Sequence, residues 1–174
     1  SLFRRKHLGF VFQDFSLLDS LSVAENIALP LILDRRSPFE IDQRLDELVN
    51  SMRFRDLMEK KPCELSGGEQ QRVAILRSIA NEPDVILADE PTGNLDTVSS
   101  RLVMEALTAL RQQDRDRAVV VVTHNPLMAS YCERVVLMLD GVVKKVLLKD
   151  DSRDRFLDNL LAEVVDRSDA DHDL

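Results

Sequence analysis

From Leu65 onward the chain alternates between two hydrophobic periods. A helical stretch, Glu69–Ala80, leads to an apolar run, Val85–Ala88. A second, Val98–Gln112, leads to Ala118–Val122. A short third, Pro126–Cys132, leads to Val135–Leu139 and Val142–Leu148, which turn at Asp140-Gly141. Strands that alternate with helices predict an α/β fold with a mostly parallel sheet covered by helices on both faces. Leu8–Gln13 (LGFVFQ) reads as one more buried strand. Between it and Leu65 the texture is helical. Ser22 caps a helix Val23–Leu29 that Pro30 disturbs, and Ile41, Leu45, Leu48, Val49 and Met52 recur at helical spacing within Pro38–Met58. A helical insert ahead of such a core predicts two lobes: residues 1–13 and 76–149 as the α/β core, and 14–75 as a helical subdomain.

Composition narrows the class. The chain has 174 residues, of which 44% are hydrophobic and 31% charged, and this suits one folded domain. A net charge of −8 argues against a nucleic-acid binder, which normally presents a basic surface. No apolar run approaches the roughly 18 residues needed to cross a bilayer. Cys63 and Cys132 have no metal or redox spacing and read as reduced thiols. Residues 150–174 form an acidic tail with nine acidic and three basic side chains. Within it Phe156, Leu157, Leu160, Leu161, Val164 and Val165 mark an amphipathic helix, expected to fold back onto its own core. The chain opens on Ser1 and soon enters a strand, which reads as a chain cut within a domain.

Four strings carry chemistry. In Leu65-Ser66-Gly67-Gly68-Glu69-Gln70-Gln71-Arg72, Ser66 and Glu69 form a capping box ahead of an apolar helix. The cap leaves the paired glycines unexplained, because each costs helix stability. Glycines in a first turn expose backbone N–H groups at the positive end of the helix dipole, which suits a phosphate. Val85–Ala88 ends in Asp89 and Glu90. Asp89 can hold a nucleotide-bound Mg²⁺ and Glu90 can polarise an attacking water; the plainer alternative is a pair of surface acids beside the turn Pro91-Thr92-Gly93-Asn94. Asp96 follows as a helix cap. Gln13 and His124 each end a strand, at the edge where α/β sheets bind ligands, although a loop amide and a structural histidine are the plainer readings.

Together, FVFQ, LSGGEQQR, ILADEPTGNLD and VVTHN, in this order, resemble the ATP-binding-cassette (ABC) nucleotide-binding domain over residues 7–147. The wording is most similar to the subgroup serving lipoprotein release, macrolide or peptide export, and cell division. The resemblance implies a RecA-like P-loop NTPase core with a helical signature subdomain, working with ATP and Mg²⁺. It implies Gln13 as the Q-loop glutamine near Mg²⁺ and the γ-phosphate. Ser66, Gly67, Gly68 and Glu69 become the signature motif that contacts the opposite subunit's ATP. Asp89 becomes the Walker B metal ligand, Glu90 the catalytic base, Asp96 the D-loop aspartate and His124 the switch histidine. It further implies a homodimer or head-to-tail dimer with another nucleotide-binding domain, and a transmembrane permease docked on the helical subdomain. The whole would sit in the cytoplasm at the inner face of the membrane.

The pattern departs from the family at one place. None of the five glycines is followed by lysine, so no G-x-x-x-x-G-K-[ST] Walker A string lies within these residues. The phosphate cradle and its lysine are missing from them. The sequence therefore reads as an ABC ATPase subunit, truncated and inactive alone; the alternative is a non-catalytic module that completes a partner's ATP site in trans.

Overall fold

The computed structural model describes residues 2–52, 54–150 and 152–170; for residue 2, 51–52 and 164–170 only the backbone is described. Ser1, the side chains of Met52, Val164 and Val165, and the end of the acidic tail lie outside the described set. The chain divides into two compact units, Ser1–Val122 and Thr123–Leu174.

In the first unit, α1 (Leu2–His7) runs directly into β1 (Leu8–Phe12). Helices α2 (Val23–Leu33) and α3 (Pro38–Met52) follow, with single 3₁₀ turns at Arg55–Leu57 and Pro62–Glu64. Then come α4 (Gly67–Ser78), β2 (Val85–Asp89), α5 (Thr97–Gln113) and β3 (Ala118–Val122). The three strands form one parallel sheet in the order β1-β2-β3. Crossover helices between consecutive strands impose parallel pairing, as expected.

The sheet's two faces differ. Val11, Ile86 and Ala88 point to one side and are buried, where α4 packs on β1 and α5 on β3. Phe12, Val120 and Val122 point to the other and are exposed. Helices α4 and α5 thus flank the sheet on the face of Val11, Ile86 and Ala88, in line with the expected parallel sheet flanked by helices. The core is Val11, Ile27, Ile75, Leu76, Ile86 and Leu107, each no more than 2% exposed.

Local signals set the helix starts. Ser22 caps α2 with a full capping box to Glu25. Pro30 does not end α2: the helix continues to Leu33 because Val23, Ile27, Ala28 and Leu31 bury one face, which outweighs the hydrogen bond a proline forfeits. Helix α3 spans Pro38–Met52 and holds the whole apolar pattern, while the Arg55–Leu57 part of the expected Pro38–Met58 stretch is a 3₁₀ turn.

The second unit holds α6 (Pro126–Ala129), an antiparallel ribbon β4 (Arg134–Leu139) and β5 (Val142–Leu148), and α7 (Arg153–Ala170). The ribbon turns at Asp140-Gly141, where both residues take positive φ (51° and 74°), the requirement of a primed hairpin turn. Helix α7 packs on α6 and buries Phe156 and Leu160, while Leu161 stays exposed. Among the described residues, no helix is long and apolar enough to cross a membrane.

Candidate functional site

The register of the parallel sheet assembles the site. Phe12, Asp89 and Val122 are aligned neighbours across β1, β2 and β3. The C-terminal ends of three strands therefore lie side by side, and Gln13 and Glu90 leave that edge as the next residues along β1 and β2. Asp89 is exposed at this edge. Glu90 takes φ 44°, a left-handed conformation, and its N–H donates to Val122 O at 2.9 Å. A non-glycine residue held there costs about 1–3 kcal/mol and persists only where its surroundings fix it. The turn closes when Gly93 N–H donates to Glu90 O at 3.0 Å.

Gln13 is tied to that turn. Its Nε2 donates to Asn94 Oδ1 at 3.1 Å, and Asn94 Nδ2 donates back to Gln13 O at 3.2 Å. A Cβ on Gly93 would sit 2.7 Å from Gln13 Nε2, so the glycine lets the glutamine lie over the turn. Gln13 and the Asp89-Glu90 pair are thereby brought together through Gly93 and Asn94.

The signature string opens α4. Ser66 Oγ accepts from Glu69 N–H at 3.3 Å, and the Glu69 carboxylate accepts from Ser66 N–H and Oγ–H, both at 2.8 Å. The Ser66 backbone N–H, foremost, holds the Glu69 carboxyl below its ordinary value. The glycines have a packing reason that sequence reading missed. A Cβ on Gly68 would meet Ser99 Cβ and Oγ at 2.8 Å, and one on Gly67 would meet Leu95 Cδ2 at 3.1 Å.

Asp96 caps α5 as expected. Its Oδ1 accepts from Val98 and Ser99 N–H at 2.9 and 3.0 Å, and Ser99 Oγ donates to Oδ2 at 2.6 Å. The Ser99 hydroxyl is the main cause of a lowered Asp96 carboxyl. Asp96, Ser99 and Gly68 thus form one connected patch where the starts of α4 and α5 meet. His124 is exposed and belongs to the second unit, two residues past the end of β3 and just before Asn125, whose side chain caps α6 by accepting from Leu127 N–H.

Sequence reading also missed Gln71, Arg77 and Asn94. Arg77 of α4 donates to Phe15 O at 3.0 Å and Ser16 O at 2.6 Å, holding two residues of positive φ (62° and 48°) after Gln13. Burial pushes its guanidinium down. Gln71 is fully buried; its Nε2 donates to Phe12 O at 3.2 Å and Pro91 O at 2.8 Å, while Oε1 has no hydrogen-bond partner among the described residues. A signal for it exists: Gln71 lies three and four residues before Ala74 and Ile75, on the apolar stripe of α4.

No group of three or more His, Cys, Asp or Glu suited to a metal occurs among the described residues. Asp89 and Gln13 instead offer hard oxygens at neighbouring strand ends. Such a partial set fits Mg²⁺, which keeps several waters and takes phosphate oxygens as its remaining ligands.

The family model for ABC transporter matches residues 2–93. The ABC transporter ATP-binding protein YxdL of Bacillus subtilis is 44% identical over 159 residues, 91% of this chain and 62% of that protein. The lipoprotein-releasing system ATP-binding protein LolD of Zymomonas mobilis is 43% identical over 139 residues, 79% of this chain and 59% of that protein. The dimeric, ADP- and Pi-bound post-hydrolysis structure of the ATP-binding cassette MJ0796 superposes with a TM-score of 0.71 at 41% identity, covering 83% of this chain and 64% of that one. The chain therefore spans about three fifths of the length of these relatives.

Proposed function

The chain belongs to the ABC transporter family of ATP-binding proteins, and from that premise we propose that it forms most of an ATP-hydrolysing subunit that drives export or membrane extraction by a transmembrane partner. The observation that carries this reading is the aligned strand edge, where Gln13, Asp89 and Glu90 stand together beside the capped, glycine-opened start of α4.

Each residue then has a task set by its chemistry. Glu90 accepts a proton from the water that attacks the γ-phosphate. Asp89 and Gln13 hold Mg²⁺ on the phosphates; when bound, the ion neutralises charge that builds up during transfer. His124 approaches the γ-phosphate. Ser66, Gly67, Gly68 and Glu69 contact ATP held by the opposite subunit of a head-to-tail dimer, and Asp96 lies at that dimer interface. The helical segment 14–75 receives the permease, which places the subunit peripherally at the inner face of the membrane. Specificity for the transported molecule belongs to that partner.

These residues contain no G-x-x-x-x-G-K-[ST] string, and so on this reading they do not hydrolyse ATP by themselves. A second reading has the same residues supplying only the signature motif to an intact partner's ATP; the absence of a G-x-x-x-x-G-K-[ST] string from these residues favours it, since the capped start of α4 needs no such string. One experiment separates the two. Residues 1–174 are assayed alone and then joined to an N-terminal Walker A segment. The first should read background, and the second should hydrolyse ATP at a rate that Glu90→Gln lowers at least about 10²-fold. A rate indifferent to Glu90 overturns the reading.

A further inference from the structure

We infer that Gln71 is a positioning residue for hydrolysis: it fixes the spacing between Gln13 and Glu90 by bridging the two strand-end turns that carry them. The inference rests on the proposed function above and adds a residue to it.

One amide nitrogen makes both contacts. Gln71 Nε2 reaches Phe12 O, the carbonyl of the peptide bond to Gln13, and Pro91 O, the residue after Glu90. A single donor group thus spans the turns after β1 and β2, from a helix that packs on β1. The amide orientation is fixed by its surroundings. Flipped, Oε1 would face two carbonyl oxygens that offer no hydrogen.

Stability accounts for part of the side chain, because its –NH₂ group supplies donors to the Phe12 and Pro91 carbonyls. Gln71 is 0% exposed, and its Oε1 is buried without a partner among the described residues. A methionine would fill the same volume on the apolar stripe and remove that unsatisfied acceptor, but it would take the Gln71 donor from the Phe12 and Pro91 carbonyls. What a methionine lacks is the –NH₂ group that joins the two turns. Two further links between the turns are exposed, Gln13 Nε2 to Asn94 Oδ1 and Asn94 Nδ2 to Gln13 O. The Gln71 bond to Pro91 O is buried. Arg77 makes a useful contrast, because its side chain holds Phe15 O and Ser16 O and touches the Gln13 side only.

The test uses the protein carrying its Walker A segment. Gln71→Met should lower kcat by about 10- to 100-fold, the scale of a small misplacement of reacting groups, with KM for ATP nearly unchanged. The decisive reading is a double-mutant cycle with Gln13→Ala. If Gln71 acts through the placement of Gln13 against Glu90, the double variant is little slower than the slower single variant. Multiplicative losses in kcat, or a Gln71→Met enzyme of wild-type kcat, overturn the inference. If Gln71→Met does not accumulate as folded protein, Gln71→Asn, whose shorter amide cannot reach both carbonyls, runs the same cycle with the same two outcomes. The proposed function fails on a different result, a rate that does not depend on Glu90, so the two failures are distinguishable.

Discussion

At Ser66 one residue type answers two demands. The hydroxyl caps α4, and on the proposed function the same first turn offers backbone N–H groups to an anion. The cap is local, needing only Ser66 and Glu69, and was therefore legible in the sequence. Its chemistry makes a pH prediction. Hydrogen bonds from Ser66 lower the Glu69 carboxyl, so the folded value lies below the unfolded one. The contribution is complete above the ordinary carboxyl value of 4.5 and is lost as pH falls through the lowered folded value. Glu69→Gln, which keeps the shape without the ionisable group, should show a shallower loss of thermal stability between about pH 5 and about pH 3. Identical acid slopes for the two proteins would contradict the assignment. The glutamate is half-buried, so the difference is a modest change of slope. Other residue-scale features were not legible. The left-handed backbone at Glu90 depends on pairing with Val122, thirty-two positions away in the chain, and the reach of Gln71 depends on two turns that no local pattern places beside it.

At the scale of elements, periodicity placed the strands and helices, and chain connectivity made the sheet parallel. What it did not supply was contact between elements. The paired glycines read as a ligand feature, yet Gly68 also lets α4 and α5 meet at Ser99. Two effects then compete in Gly68→Ala. Helix propensity favours alanine by up to about 1 kcal/mol. Against it, the new Cβ would stand 2.8 Å from Ser99 Cβ and Oγ, on a side chain already held by its 2.6 Å hydrogen bond to Asp96. Overpacking of this kind typically costs about 1–3 kcal/mol, so it should win. Chemical denaturation should find Gly68→Ala less stable than wild type, with Gly68→Ala/Ser99→Gly regaining part of the loss. A Gly68→Ala protein as stable as wild type would remove the packing account. Helix α2 runs to Leu33, beyond the Leu29 that the sequence predicts, for a related reason. Proline's local penalty at Pro30 was visible, and the buried face that carries the helix past it was not.

For the whole molecule, order and spacing of motifs identified the family, whereas the division after Val122 has no counterpart in the sequence. Four short strings in fixed order are improbable by chance, and each marks the end of a strand or the start of a helix, where backbone groups are available to a ligand. The head-to-tail arrangement is the claim on which the rest turns, because it assigns Ser66–Glu69 to one subunit's surface and to the other subunit's ATP. The direct measurement is the ATPase rate of two mixed dimers whose subunits carry Walker A segments. In one dimer, Glu90→Gln and Gly67→Asp lie on opposite subunits; in the other, both lie on the same subunit. If the signature acts in trans, substitutions on opposite subunits fall in a single site and leave the second intact, so that dimer retains substantial hydrolysis. Substitutions on the same subunit then strike both sites and reduce the rate to background. The reverse pattern, with activity retained only when both changes share a subunit, would contradict the account.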